Sequence, residues 1–509
     1  MADATSLPPP AETPAYTHRQ IVRVIVGIML CIFLASLDQT VIIPAVPAMA
    51  AELNAFGHLA WIVTGYLLTS TAATPIIGKL SDNLGRRALL LPGLALFIVA
   101  SLGCGFAQTL PQLITARAVQ GLGGAALMSM AQAAVADVVS PRERGRYQGY
   151  MASMWGISSI AGPIVGGWVT DTLTWRWIFW ANLPIGLVAM ALCDRALRMI
   201  RHQPRPVQID YAGSALLVGG VTALLLMLSW GGVELPWSDP AVVGLGVVGV
   251  VLLALLFWQE RRAPDPILPP RLFGNGTFTR GVLIAFFTSL GLFGATFLLP
   301  LYFQLVLGQD AAESGLLVMP FLAASTIGAF VSGQAARRLG RTKGIVLAGL
   351  AMCVAGFAAL AVMTGGAPLW LVLPVSAVLG VGIGATMPSV LMQVQNAAER
   401  RDVGAATGSL LFLRSMGGAF GSTIVGSVLA SEFNAGLREA GLPSVDLGAL
   451  RGGGAAMAEL GPARAALASG FQLAFVVCLA LLLVAVVIAA GMKDLQLRSG
   501  AAPVREIGH

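Results

Sequence analysis

A chain of 509 residues that is 56% hydrophobic and 11% charged is not a soluble domain, since soluble proteins carry about 25% charged residues. The net charge of +7 does not point to nucleic acid, because Lys and Arg gather between apolar runs, as they do in loops on one side of a membrane. Those runs, roughly 20 residues each, recur along the whole length and are long enough to cross a bilayer as helices.

In chain order, residues 1–20 are polar and Pro-rich and read as a disordered tail, not a signal peptide. Fourteen spans are expected near 21–45, 58–79, 88–107, 111–138, 146–170, 177–197, 211–231, 239–258, 281–304, 314–336, 344–363, 368–390, 403–430 and 467–491. Residues 492–509 read as a second tail. The segment 431–466 is long for a loop, and "SEFNAGLREAGL" (Ser431–Leu442) reads as a short helix on the outer surface. Placing the N-terminus in the cytoplasm puts 25 of the 31 Lys and Arg on that side. Only Arg176, Arg438, Arg451 and Arg464 fall opposite, and Arg117 and Arg414 lie inside spans. Both termini are therefore expected in the cytoplasm.

The chain also repeats. "GKLSDNLGRR" (Gly78–Arg87) follows the second span and "GQAARRLGRT" (Gly333–Thr342) the tenth. "GLGGAALM" (Gly121–Met128) matches "GVGIGATM" (Gly380–Met387). Parallel repeats of this kind imply two six-helix bundles, 21–200 and 279–491, joined by a linker, 201–278, that carries two extra spans. Arg117 corresponds to Ser376 and Asp82 to Arg337, so charge is concentrated in the first half.

Several chemistries are unsupported. The cysteines (Cys31, Cys104, Cys193, Cys353, Cys478) lack CxxC spacing, so no disulfide framework or metal site is expected. The histidines (His18, His58, His202, His509) avoid mid-membrane positions. No GxxxxGK[ST], GxSxG or HExxH occurs, so neither ATP use nor an enzyme is expected, and no cofactor.

The motifs, taken together, resemble the fourteen-helix drug:proton antiporters of the major facilitator superfamily. The resemblance covers about 20–490. It rests on "LDQTVIIPAVP" (Leu37–Pro47), "WIVTGYLL" (Trp61–Leu68), "GKLSDNLGRR", "LITARAVQGLGGA" (Leu113–Ala125), "GISSIAGPIVGG" (Gly156–Gly167), "WRWIFWANLPIG" (Trp175–Gly186), "IDYAG" (Ile209–Gly213) and "PILPPRLF" (Pro266–Phe273).

Asp38 is the one formal charge between Val24 and Ala51. It lies roughly 22 Å along the first span, and Arg117 roughly 9 Å from the opposite edge of the fourth, so the two sit at similar depth. The resemblance places both helices along a central cavity. Burial and a neighbouring guanidinium pull a carboxylate's proton affinity in opposite directions, and such a pair suits proton coupling. The bland alternative is a structural ion pair. The resemblance also implies a conformational latch of Gly78, Asp82, Gly85, Arg86 and Arg87, with Asp82 facing a helix N-terminus of the other half and Asp137 pairing with Arg86. The bland reading of the arginines is membrane topology alone. The helix-five run Gly156, Gly162, Pro163, Gly166 and Gly167 is the antiporter motif of that family, expected to bend and seal the cavity. A merely close-packed helix is the alternative. Phe33, Gln39, Tyr66, Met128, Trp155, Tyr302, Phe303 and Arg414 are candidate cavity residues. Arg414 is as readily structural as cavity-facing.

The expectation is a monomeric exporter of lipophilic small molecules in the bacterial cytoplasmic membrane, driven by the proton gradient and working by alternating access. An adaptor protein is left open, and no nucleic-acid partner is expected. The rivals are an exporter of an endogenous lipid, organic acid or siderophore, a membrane sensor without flux, and a membrane enzyme. The membrane interior holds one acid and two arginines. Relatives in the family the chain resembles that export dicationic drugs typically carry further membrane acids, so the resemblance disfavours dicationic substrates and leaves single-charge lipophilic cations, neutral compounds and organic anions open.

Overall fold

The computed structural model describes residues 17–53, 60–198, 208–232, 235–439, 441, 461–494 and 496. Residues 1–16 of the sequence-predicted first tail, 440 and 442–460 of the long loop, and 495 and 497–509 of the second tail fall outside them, while the first helix already begins at His18. Helices account for almost everything described. In order they are α1 His18–Val41, α2 Val46–Glu52, α3 Ala60–Leu84, α4 Arg86–Phe106, α5 Leu110–Val138, α6 Pro141–Thr172, α7 Arg176–Trp180, α8 Asn182–Leu197, α9 Tyr211–Trp230, α10 Pro240–Glu260, α11 Pro270–Phe273, α12 Gly276–Leu305, α13 Ala311–Leu339, α14 Lys343–Val362, α15 Leu369–Ala397, α16 Val403–Glu439 and α17 Gly461–Ala490.

Eleven helical stretches among the described residues are long and apolar enough to cross a membrane. The long helices α3, α6 and α16 are not among them, being richer in Gly, Ser and Thr. Glycines on these three let helices approach closely, as Gly78 does at Gly404 and Gly145 at Gly333. A count of fourteen spans therefore depends on including them. Of the stretch Ser431–Leu442, expected to be helical, residues 431–439 are helix, as the last turns of α16, which runs unbroken to Glu439, and Leu442 lies outside the described residues. No proline stands between Val403 and Glu439 to stop it.

Side-chain caps fix several helix starts. Thr17 forms a reciprocal capping box with Gln20, and Asp210, Asp239, Asn275 and Asp310 accept from first-turn amides. The repeat is visible in backbone shape. Gly85 (φ 93°) separates α3 from α4, and Gly340 (φ 65°) ends α13. They hold the same place in the two copies of the motif, at a positive φ that residues with a Cβ rarely adopt.

Two cores follow. One joins α1, α3, α4, α5, α6 and α8 around Ile28, Phe97 and Met130. The other joins α12–α17 around Phe303, Phe357 and Phe475. The extra helices α9 and α10 pack on one another, and Leu217 and Leu256 meet Ala72 of α3 and Phe412 and Met416 of α16. They thus straddle both lobes.

The lobes meet chiefly in one half of their height. Every inter-lobe hydrogen bond, ion pair and close glycine approach among the described residues lies between helix midpoints and the face carrying the basic loops. Gly78 of α3 crosses Gly404 of α16, where an added Cβ would fall 2.5 Å from the Gly404 carbonyl oxygen. Gly333 of α13 crosses Gly145 of α6, at 2.1 Å from its carbonyl oxygen. On the opposite face Glu52 binds Trp175 Nε1 at 2.6 Å and pairs with Arg176, which holds its carboxyl below the usual range. That contact is internal to the first lobe.

Candidate functional site

Asp38 sits near the end of α1, fully buried. Helix α5 brings Arg117 and, three residues on, Gln120 to the same helix face. Arg117 Nη1 donates to Asp38 Oδ2 at 2.6 Å and to Gln120 Oε1 at 2.7 Å. Gln120 Nε2 donates to Asp38 Oδ1 at 2.9 Å. Asn182, the first residue of α8, donates from Nδ2 to the same Oδ1 at 2.9 Å. Ser101 Oγ of α4 lies 2.9 Å from that Nδ2 and donates to Phe179 O. The guanidinium stacks over the Tyr66 ring at 4.5 Å. Asp38 is therefore held by donors on α5 and α8, and α3 supplies the ring beneath Arg117. A buried ion pair whose carboxylate oxygens both accept hydrogen bonds, three in all, is the arrangement that tolerates desolvation.

Sequence reasoning brought Asp38 to Arg117 but missed Gln120 and Asn182. Gln120 carried a signal, since it stands at i+3 from Arg117 in an otherwise apolar run. Asn182 was marked only by its place in the motif "WRWIFWANLPIG", which does not say what it touches, because α8 reaches Asp38 only through the fold.

The α6 glycines press on this cage from outside. A Cβ on Gly162 would lie 2.0 Å from Thr40 Oγ1, and one on Gly166 2.1 Å from the Val41 carbonyl oxygen. Thr40 Oγ1 in turn donates to Ser158 O at 2.8 Å. Helix α6 continues through Pro163 without interruption. Gly156 faces Thr326 of the other lobe, whereas Gly167 faces open space and makes no close approach.

At the basic face, Gly404 N and Ala405 N each donate to Asp82 at 2.8 Å. A carboxylate of the first lobe thus caps α16 of the second, where the helix dipole favours negative charge. Arg86 pairs with Asp82 at 2.8 Å and with Asp137 at 2.8 Å. Arg87 departs from the expected latch. It pairs with Asp194 of α8 at 2.5 Å, within its own lobe. The linker flanks the latch, with Asp265 bound by Lys79 at 2.5 Å and Arg271 bound to Asp402 at 2.7 Å. Arg337, which replaces an acid in the second copy of the motif, pairs with Glu143 in the first turn of α6 at 2.9 Å.

Three candidate cavity residues are core residues instead. Tyr302 and Phe303 are buried in the second lobe, where Tyr302 donates to Met363 O at 2.8 Å and its ring meets Phe471 and Phe475. Tyr66 is buried beneath Arg117. An aromatic side chain in a helix packs inward as readily as it lines a cavity, and the sequence does not distinguish the two. Phe33, Gln39, Met128, Trp155 and Arg414 are half-buried.

Comparison with known proteins agrees with this architecture. A sequence profile of the Major Facilitator Superfamily matches residues 28–422. The chain is 35% identical to "Multidrug transporter protein MdtP" of Bacillus subtilis, over 83% of this chain and 78% of that protein. It is 34% identical to "Efflux pump dotC" of Dothistroma septosporum, over 80% of this chain and 70% of that one. The solved structure of the proton:xylose symporter XylE superposes with a TM-score of 0.63 at 13% identity, over 94% of this chain and 97% of that one. That likeness shows the fold.

Proposed function

The chain belongs to the Major Facilitator Superfamily, a multi-pass membrane transporter and not an enzyme, and from that premise we propose that it exports lipophilic small molecules in exchange for protons. The observation that carries the reading is the Asp38 cage. In its ionised form the carboxylate accepts from α5 and α8 together. Protonation removes that charge and leaves Arg117, Gln120 and Asn182 with a weaker acceptor. The proton therefore changes which packing of α1, α5 and α8 is favoured, as a coupling ion must. The names of the relatives support efflux as the direction, and the motif resemblance supports the fourteen-helix drug:proton antiporter branch.

The proposed cycle is alternating access. The contacts at the basic face close the lobes there, and the cycle exchanges them for contacts at the opposite face. Reading the basic face as cytoplasmic puts both termini inside a bacterial cytoplasmic membrane and makes this an outward-facing state. Purified protein in proteoliposomes tests the whole reading. An imposed proton gradient should drive a lipophilic dye uphill, and collapse of the gradient should stop it. Dye movement that ignores the gradient would reject proton exchange.

A further inference from the structure

Arg414 stands eleven residues into α16, about 16 Å from the start of that helix. It has no hydrogen-bond or ion-pair partner among the described residues. Among the described residues the buried charged side chains all have one: Asp38 with Arg117, Lys79 with Asp265, Asp82 with Arg86, Arg144 with the Ala136 and Val139 carbonyls, Glu260 with the Leu268 amide, and Asp402 with Arg271. Arg414 is instead half-buried.

The helix shows where its side faces. Phe412 and Met416, two residues to either side, pack on the extra helices α9 and α10. At 100° per residue, Arg414 lies on roughly the opposite face. Thr407 is seven residues earlier, two turns below and nearly in line. Its Oγ1 accepts from Gln395 Nε2 at 3.2 Å, and that same amide reaches across to Gln132 O of the first lobe at 3.2 Å. Arg414 thus stands about 10 Å above a polar contact that closes the lobe boundary, on the side where inter-lobe contacts give out.

We infer that Arg414 binds the negatively charged group of the cargo, so that the preferred cargo is a lipophilic organic anion such as a monocarboxylate. The inference rests on reading the chain as an exporter. Among the described residues, neither Asp38 nor the acids of α16 offer a cationic cargo a counterpart beside Arg414. Asp38 is fully buried, with both oxygens already accepting. The acids of α16 lie at Glu432 and Glu439, about 27 Å or more beyond Arg414. An unpaired guanidinium at membrane depth is costly, and a bound carboxylate offsets that cost through charge-assisted hydrogen bonds.

The test is equilibrium binding to purified protein in nanodiscs, with pyrenebutyrate, its methyl ester and ethidium as probes. Wild type should bind pyrenebutyrate at least 10-fold tighter than the ester, a comparison that needs no mutant to fold. Arg414→Gln should abolish that preference, and Arg414→Lys should keep part of it. Equal affinity for acid and ester, or an acid preference untouched by Arg414→Gln in a folded protein, overturns the inference. So does Arg414-dependent displacement of pyrenebutyrate by phosphatidylglycerol, which would assign the guanidinium to a lipid headgroup. Flux under a proton gradient is scored separately. Gradient-driven ethidium export without an acid preference would sink the inference and leave the exporter standing. Arg414-dependent binding without driven flux would do the reverse.

Discussion

Asp38 and Arg117, 79 residues apart in sequence, meet at 2.6 Å with both side chains closed to solvent. Neither could be buried alone, because an unpaired ion at this depth carries a desolvation penalty of several kcal/mol. Their pairing with Gln120 and Asn182 ties α1 to α5 and α8, so the charge of one carboxylate bears on the packing of three helices.

Asp38→Asn should therefore do two things. The new amide would turn its Nδ2 toward donors on Gln120 or Asn182, costing about 1–3 kcal/mol, and thermal stability should fall modestly. Uphill, gradient-driven transport should disappear, because the side chain no longer exchanges a proton. Wild-type accumulation ratios in folded Asp38→Asn would remove Asp38 from the coupling step.

Arg117→Lys should retain partial transport and Arg117→Ala little. A lysine ammonium can reach the carboxylate but cannot also stack flat on Tyr66 while bonding to Gln120. Initial rates of dye export from matched proteoliposomes would order the two variants. Equal rates would mean that the planar fork is dispensable.

The α6 glycines give an internal control. Gly166→Ala forces a methyl to 2.1 Å from the Val41 carbonyl oxygen, whereas Gly167→Ala meets nothing within 4 Å. Backbone must move in the first case, at about 1–3 kcal/mol. Gly162→Leu should be worse still, as it drives Thr40 off Ser158. Export with the proton gradient tightly used should survive Gly167→Ala and fail in the other two. Similar behaviour of all three would mean that α6 does not need close contact with α1.

What the sequence revealed follows its chemistry. A charge in an apolar run announces itself, so Asp38, Arg117 and Arg414 stand out in the sequence alone. A glycine with a fixed backbone duty repeats with its motif, as Gly85 and Gly340 do. Neutral amides and aromatics carry no such mark. Asn182 is an ordinary helix start until α8 is docked on α1. Tyr302 and Phe303 look no different from cavity aromatics until α17 packs over them. The partner of Arg87 also depended on docking, since Asp194 is 107 residues away on another helix.

The two inter-lobe crossings should differ in strength, though the repeat makes them look alike. At Gly78 the crossing is secured by Asp82, which is 8% exposed and accepts two backbone amides of α16. At Gly333 the corresponding residue is Arg337, which pairs with Glu143 where both side chains are more than 40% exposed. An exposed pair contributes about 0–1 kcal/mol, while charge-assisted bonds in a buried setting contribute about 2 kcal/mol, a roughly 30-fold change in a two-state equilibrium. Asp82→Ala should thus shift the lobes toward opening at the basic face, and Arg337→Ala should hardly move them. The five native cysteines are buried, so one introduced cysteine per lobe at the basic face can carry a spin label selectively. Pulsed electron paramagnetic resonance distances should lengthen for Asp82→Ala and stay at wild-type values for Arg337→Ala. Equal shifts in both variants would show that the crossings share the load and that the Asp82 cap is not the latch.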